Sequence, residues 1–192
     1  LLTSFTGLLV LGLVACQPKL TPEEDCNFVM SSQIQRVSWK GQIPVNLYIS
    51  QGVPVQFRES IRKAAAQWNY DTGKTIFIIL EQEISNTPKK DDLNGIYWVD
   101  SWGGRDEEQA KTTIYWRGDR IKESDILINA ESHQFSAFGS TTPSTVDMTS
   151  LMVHELGHVL GLQHIASEPS VMAESLPMLV ATASPTQAGL RQ

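Results

Sequence analysis

Three histidines and a glutamate set the chemistry of this 192-residue chain, in the stretch His154-Glu155-Leu156-Gly157-His158-Val159-Leu160-Gly161-Leu162-Gln163-His164. On a helix, residues four apart stack on one face, so His154 and His158 can offer two imidazoles to one metal ion. Glu155 follows the first of them, where its carboxylate reaches a water on that metal and can serve as general base. Gly161 is placed to end the helix, because glycine adopts a left-handed conformation without steric cost. The chain then turns back and His164 becomes a third ligand. Three histidines leave the fourth tetrahedral position open, which marks a catalytic zinc rather than a closed structural one. The plain alternative is a core helix on which histidines happen to fall close together. Five specified positions in one window, holding three of the chain's four histidines, weigh against it.

The window fits the motif H-E-x-x-H-x-x-G-x-x-H at every specified position, and in this the chain resembles the metzincin zinc endopeptidases. Those enzymes carry a methionine turn beneath the metal, and Ser170-Val171-Met172 resembles it. Its approach, Ala166-Ser167-Glu168-Pro169-Ser170-Val171-Met172, and the Leu-Gly-Leu that closes the helix are similar to the matrixin branch. The resemblance implies hydrolysis of peptide bonds in a protein or peptide substrate with one catalytic zinc held by His154, His158 and His164. Glu155 would take the proton of the attacking water and pass it to the leaving amine. Met172 would form an apolar floor under the ligands with no bonding role. The rival from another class is a membrane-anchored zinc-binding module that no longer cuts. Glu155 argues against that rival, since binding alone needs no base beside the metal. A third reading, a metalloenzyme acting on another polar bond, lacks the need for a peptide-sized cleft.

These residues require a scaffold, and the hydrophobic pattern supplies one. Residues 36–39 and 45–49 alternate, as a strand with one buried face does. Pro54 opens a helix in which Phe57, Ile61, Ala65 and Trp68 recur at helical spacing until Gly73. Residues 75–80 form a nearly continuous, β-branched apolar run, the mark of a strand covered on both faces. Further strands fall at residues 96–99, 112–116 and 125–129, the last two joined by a turn at Gly118-Asp119. Arg117-Gly118-Asp119 spells an adhesion tripeptide, but a tight turn is sufficient reason for it. A Ser/Thr-rich loop with Gly139 and Pro143 precedes the metal helix, whose cap candidates are Asp147, Thr149 and Ser150, with Asp147 and Thr149 favoured.

This order gives an α/β layout (α+β, zincin-like) rather than a bundle or sandwich. The matrixin resemblance completes it as a twisted five-stranded, mostly parallel sheet with one antiparallel edge strand, two long helices and zinc at the second helix. Thr112, Thr113, Ile114, Tyr115 and Trp116 would be that edge strand, whose unpaired backbone can accept an extended peptide as a further strand. Two departures from the vertebrate pattern stand out. The residues of a second, structural zinc are missing, since only His133 lies outside the motif, and the stretch from Pro177 to Gln192 has room only for a brief final helix. Asp100, Asp106, Glu107 and Glu108 offer oxygen ligands for calcium, although their spacing is unspecific.

Composition frames the rest. With 41% apolar and 19% charged residues, the chain suits one globular domain. The net charge of −6 is spread along it without a Lys/Arg cluster, which disfavours nucleic acid as a partner. Nothing in the sequence points to an oligomer, so a monomer is expected. Residues 8–14 are a short apolar stretch ending in Leu13-Val14-Ala15-Cys16, which reads as a secretory signal with a bacterial lipobox. Residues 1–15 are then a truncated signal peptide, Cys16 the lipidated residue, residues 16–31 a tether and residues 32–192 the catalytic domain. Gln17 after the cysteine favours the outer membrane, so the enzyme is expected on the cell envelope, anchored through its acyl chains, or secreted. Cys26 is then a leftover thiol, free or intermolecular; its surroundings do not match the matrixin latency motif.

Overall fold

Alternation in residues 45–49 produces an interior strand of the sheet. The computed structural model describes residues 27–137, 144–166 and 170–174. Strand β1 (Val45–Ser50) buries Val45, Leu47 and Ile49 and turns Asn46 outward. Helix α1 (Val55–Thr72) starts after Pro54, whose φ of −57° is already that of a helix, and ends at Gly73 with φ 64°. Its buried face contains Phe57, Ile61, Ala65 and Trp68, as the spacing predicts. The Asn69 side chain ties this helix to the next strand. Its Oδ1 accepts from the backbone N–H groups of Ile76 (2.7 Å) and Phe77 (2.9 Å).

Strands β2 (Phe77–Ile84), β3 (Gly95–Val99), β4 (Ala110–Arg117) and β5 (Arg120–Asn129) complete a five-stranded sheet ordered β2-β1-β3-β5-β4. All neighbours are parallel except β4 and β5, which form an antiparallel hairpin closed by Gly118 and Asp119. The expected α/β sheet with one antiparallel edge strand is therefore present. A short parallel pair, β6 (Phe135–Ser136) with β7 (Val146–Asp147), lies in the stretch read as a loop and leads into helix α2 (Met148–Val159). The core lies between one face of the sheet and the two helices, with Leu47, Ile61, Ile96, Ile126, Ile128, Met152 and Leu156 fully buried. Two indoles fasten helix to frame: Trp68 Nε1 donates to the Val153 carbonyl and Trp39 Nε1 to the Val159 carbonyl, both at 2.9 Å.

Three expectations need correction. The run at residues 75–80 is not a strand covered on both faces. Strand β2 begins at Phe77, forms the sheet edge opposite β4, and leaves Ile78 37% exposed. Residues 36–39 bury Val37 and Trp39 as their alternation requires, but they make only isolated bridges, Met30 with Arg36 and Ser38 with Arg120. Residues 27–31 do not continue the tether. Phe28 bridges Leu162, Val29 N–H donates to the Gly161 carbonyl (2.9 Å), and Ser31 is buried. The signal peptide, Cys16, Cys26, Gly139, Pro143 and the final stretch from Pro177 lie outside the described residues. Among the described residues no helix is long and apolar enough to cross a membrane.

Candidate metal centre

The metal helix is fixed at both ends by its own sequence. Asp147 caps it: Oδ1 accepts from the Ser150 N–H at 2.8 Å and from the Ser150 hydroxyl at 2.9 Å. Thr149, the other favoured cap, leaves its buried hydroxyl without a partner. At the far end Gly161 takes φ 89°. Its N–H donates to the His158 carbonyl (2.8 Å), and Leu162 N–H donates to the Gly157 carbonyl (3.1 Å). Those two bonds form a Schellman turn, which reverses the chain toward His164. A Cβ at Gly161 would lie 2.6 Å from the Val37 backbone oxygen, so only glycine fits there.

The three imidazoles meet at their Nε2 atoms. His154 and His158 are 3.0 Å apart, and each is 3.1 Å from His164. Two of the rings have their tautomer set from behind. His154 Nδ1 donates to the Val171 carbonyl and His158 Nδ1 to the Leu162 carbonyl, each at 2.7 Å. Burial, with the neighbouring imidazole, pushes His154 down to about 3, and burial also lowers His158. Both rings are therefore neutral, with bare lone pairs at Nε2. Two such lone pairs 3.0 Å apart repel, and a cation between them turns repulsion into coordination. A tetrahedral zinc with bonds of about 2.0–2.1 Å places its nitrogens about 3.4 Å apart, so a small outward shift seats it. Backbone carbonyls behind ligating imidazoles are the usual outer support of such a site. Among the described residues this triad is the only group of three or more His, Cys, Asp or Glu ligand atoms close enough to share an ion. Asp100, Asp106, Glu107 and Glu108 do not form one, and Glu108 instead pairs with Arg105 at 3.0 Å. His133 lies apart, 2.9 Å from the Asp106 carbonyl oxygen.

Glu155 stands beside the triad, 4% exposed. Burial raises its carboxyl to about 7, against the lowering effect of the Thr112 hydroxyl, which donates to Oε2 at 2.5 Å. Met172, 4% exposed, lies in the turn that begins at Ser170 and packs against α2. Its seat is Gly157, where a Cβ would come within 2.3 Å of the Met172 sulfur. The turn also carries bonds, because the Val171 carbonyl holds His154 and the Met172 carbonyl accepts from Ile165 N–H at 2.9 Å. From the opposite side, Asn27 pins the third histidine. Its Nδ2 donates to the His164 carbonyl (3.0 Å), and its own carbonyl accepts from Gln163 N–H (2.6 Å).

A cavity of about 980 Å³ opens over the triad, walled by β4 on one side and by Asn27 and the segment at Leu162–His164 on the other. Of the five residues expected along the substrate edge, Thr112 and Ile114 line it, with Ala110 and Lys111 beside them, while Thr113, Tyr115 and Trp116 do not. The register explains this: Thr112 pairs with Ile126, on the helix face, and alternate residues follow it. The sequence reading missed Gly157, Asn27, the carbonyls of Val171 and Leu162, and the link from Thr112 to Glu155. Gly157 had a local signal, since a glycine inside a helix costs about 1 kcal/mol against alanine and calls for a packing reason. The others join residues distant in the chain and leave no local trace.

Comparison with curated proteins gives no match. The family model described as Matrixin, a peptidase family, matches residues 54–187, most of the chain and every element from α1 onward. With the motif, the triad and the five-stranded sheet in place, the chain belongs to the matrixin family of zinc metalloendopeptidases, within the metzincins.

Proposed function

We propose that this enzyme cuts within polypeptides laid in extended form along the open edge of β4, with His154, His158 and His164 holding the zinc and Glu155 acting as general base. The observation that carries this reading is the convergence of three Nε2 atoms at 3.0–3.1 Å beside a buried carboxylate, in a cleft walled by a strand edge. Strand β4 ends the sheet, so its backbone groups on the side away from β5 can pair with a substrate strand. Held by the three histidines, zinc would supply Lewis-acid chemistry, making a water more acidic and polarising the scissile carbonyl. Glu155 accepts the proton of the attacking water at its carboxylate and delivers it to the departing amine nitrogen. The chain's own carbonyls at Val171 and Leu162 keep two imidazoles aimed while this happens.

The test uses a soluble form beginning at Gln17, loaded with zinc and incubated with an unfolded protein, beside its Glu155→Ala variant. The parent is expected to cut and a chelator to stop it. Glu155→Ala should bind zinc with kcat reduced about 10²–10⁴-fold. If both proteins bind one zinc and neither cuts, the chain is a binding module.

The same reading places the enzyme on a bacterial envelope as a monomer, anchored by acyl chains on Cys16. The support is the apolar stretch at residues 8–14 with Leu13-Val14-Ala15-Cys16 at its end. Expression of the whole chain with an intact signal should give a membrane-bound protein that Cys16→Ser releases. A soluble parent would sink the anchor.

A further inference from the structure

Strand β4 lines the cleft with Ala110, Lys111, Thr112 and Ile114, and of these Thr112 bonds to Glu155 through its side chain. Its hydroxyl oxygen lies 2.5 Å from Glu155 Oε2 and 3.4 Å from the Glu155 backbone oxygen. A hydroxyl has one proton to give, and the short contact, in the range of an O–H···O⁻ bond, assigns it to the carboxylate. The two residues belong to different elements, the sheet edge and the metal helix, 43 positions apart. The contact is a product of register. A slip of one residue in the β4–β5 pairing would bring Lys111 or Thr113 to face Glu155 instead.

We propose that Thr112 is a positioning residue for the base. Its hydroxyl fixes Oε2 of Glu155, which leaves the second carboxylate oxygen to meet the attacking water. This rests on the endopeptidase reading above. Glutamate has three side-chain torsions, and a buried carboxylate without an anchor spreads over several rotamers. Threonine is stiff at its first torsion, so its hydroxyl direction is set by the strand itself. The strand that receives the substrate therefore also aims the base. A peptide docked on β4 sits at a fixed distance from Glu155, because one residue serves both.

The experiment compares Thr112→Val, which keeps shape and removes the donor, with Thr112→Ser, which keeps the donor, in the zinc-loaded protein. The readouts are kcat and KM on one extended peptide, zinc affinity by chelator competition, and thermal unfolding in the Glu155 and Glu155→Ala backgrounds. Thr112→Val should lower kcat about 10- to 100-fold, with KM and zinc affinity within about threefold of the parent. Thr112→Ser should recover most of that loss. The valine should lower the melting temperature when Glu155 is present and clearly less when it is alanine. An unchanged kcat in Thr112→Val overturns the proposal, as does a serine variant as impaired as the valine. Equal melting shifts in the two backgrounds overturn it too, since the contact then contributes nothing. A parent that loads zinc and cuts nothing removes the endopeptidase reading first, and the positioning role falls with it.

Discussion

Gly157 shows how far a single atom matters at this site. A methyl group there would fall 2.3 Å from the Met172 sulfur and 3.4 Å from the Trp68 ring. Alanine is the better helix former by about 1 kcal/mol, but overpacking a filled core costs about 1–3 kcal/mol. Gly157→Ala should therefore lower stability by up to about 2 kcal/mol. It should also weaken zinc, because displacing Met172 moves the Val171 carbonyl that aims His154. Thermal unfolding and chelator competition check both effects. A Met172→Ala background, which empties the space, should abolish the cost of Gly157→Ala. The ligands themselves were legible, since four-residue spacing on a helix is a local property, and so was Glu155 beside them. The partners that fix them were not: Thr112, Val171 and Asn27 reach the site across the fold, where spacing carries no information.

At the scale of elements, the turn after α2 decides whether three ligands meet. Gly161 is the one position there that requires glycine. With φ 89° and a backbone oxygen 2.6 Å from any added Cβ, Gly161→Ala should cost at least about 1–2 kcal/mol and pull Leu162 away from His158. Zinc affinity should fall more than it does in Asp147→Ala, which removes only the helix cap and should cost about 1 kcal/mol. Denaturant unfolding of the zinc-free proteins, set beside chelator competition, separates the two. Period-two alternation placed β1 and helical spacing placed α1, because each buries one side against the core, and the runs at residues 96–99, 112–116 and 125–129 fall within β3, β4 and β5, although β5 begins earlier, at Arg120. The pattern misled at β2, where Phe77-Ile78-Ile79-Leu80 is continuously apolar although the strand is a sheet edge. Apolar runs report hydrophobicity, and the position of a strand in a sheet is set by its partners.

The whole molecule has two faces of different character. The helix side of the sheet is apolar, while the far side buries Glu123, Asp125 and Tyr97. Burial, with help from Glu123 and Asp91, holds Asp125 up at about 6 even though it accepts a bond from Gly95 N–H at 3.0 Å. Its folded pKa thus exceeds the unfolded value of about 3.9. Stability from this group is complete below about pH 4 and is lost as pH rises through about 6. Asp125→Asn keeps an acceptor for Gly95 and cannot ionise. It should be more stable than the parent above pH 6, by about 1–3 kcal/mol, and equal to it near pH 4. Denaturant unfolding across that range tests the sign. Zinc should raise the melting temperature of the parent, because binding favours the only state in which the three lone pairs converge. Fold class followed from the order of elements, but the strand order β2-β1-β3-β5-β4 did not, since pairing is a property of the assembled sheet.

The bonds from Asn27 to Gln163 and His164 give the enzyme a mechanical character. They join Asn27 to the backbone of the third ligand and of the residue before it. A load that reaches Asn27 along the chain acts on those bonds before it reaches any strand of the sheet. Tension passed through Asn27 would be felt at the third ligand first. Traction strong enough to part Asn27 from His164 would loosen one ligand while the five-stranded body stayed folded.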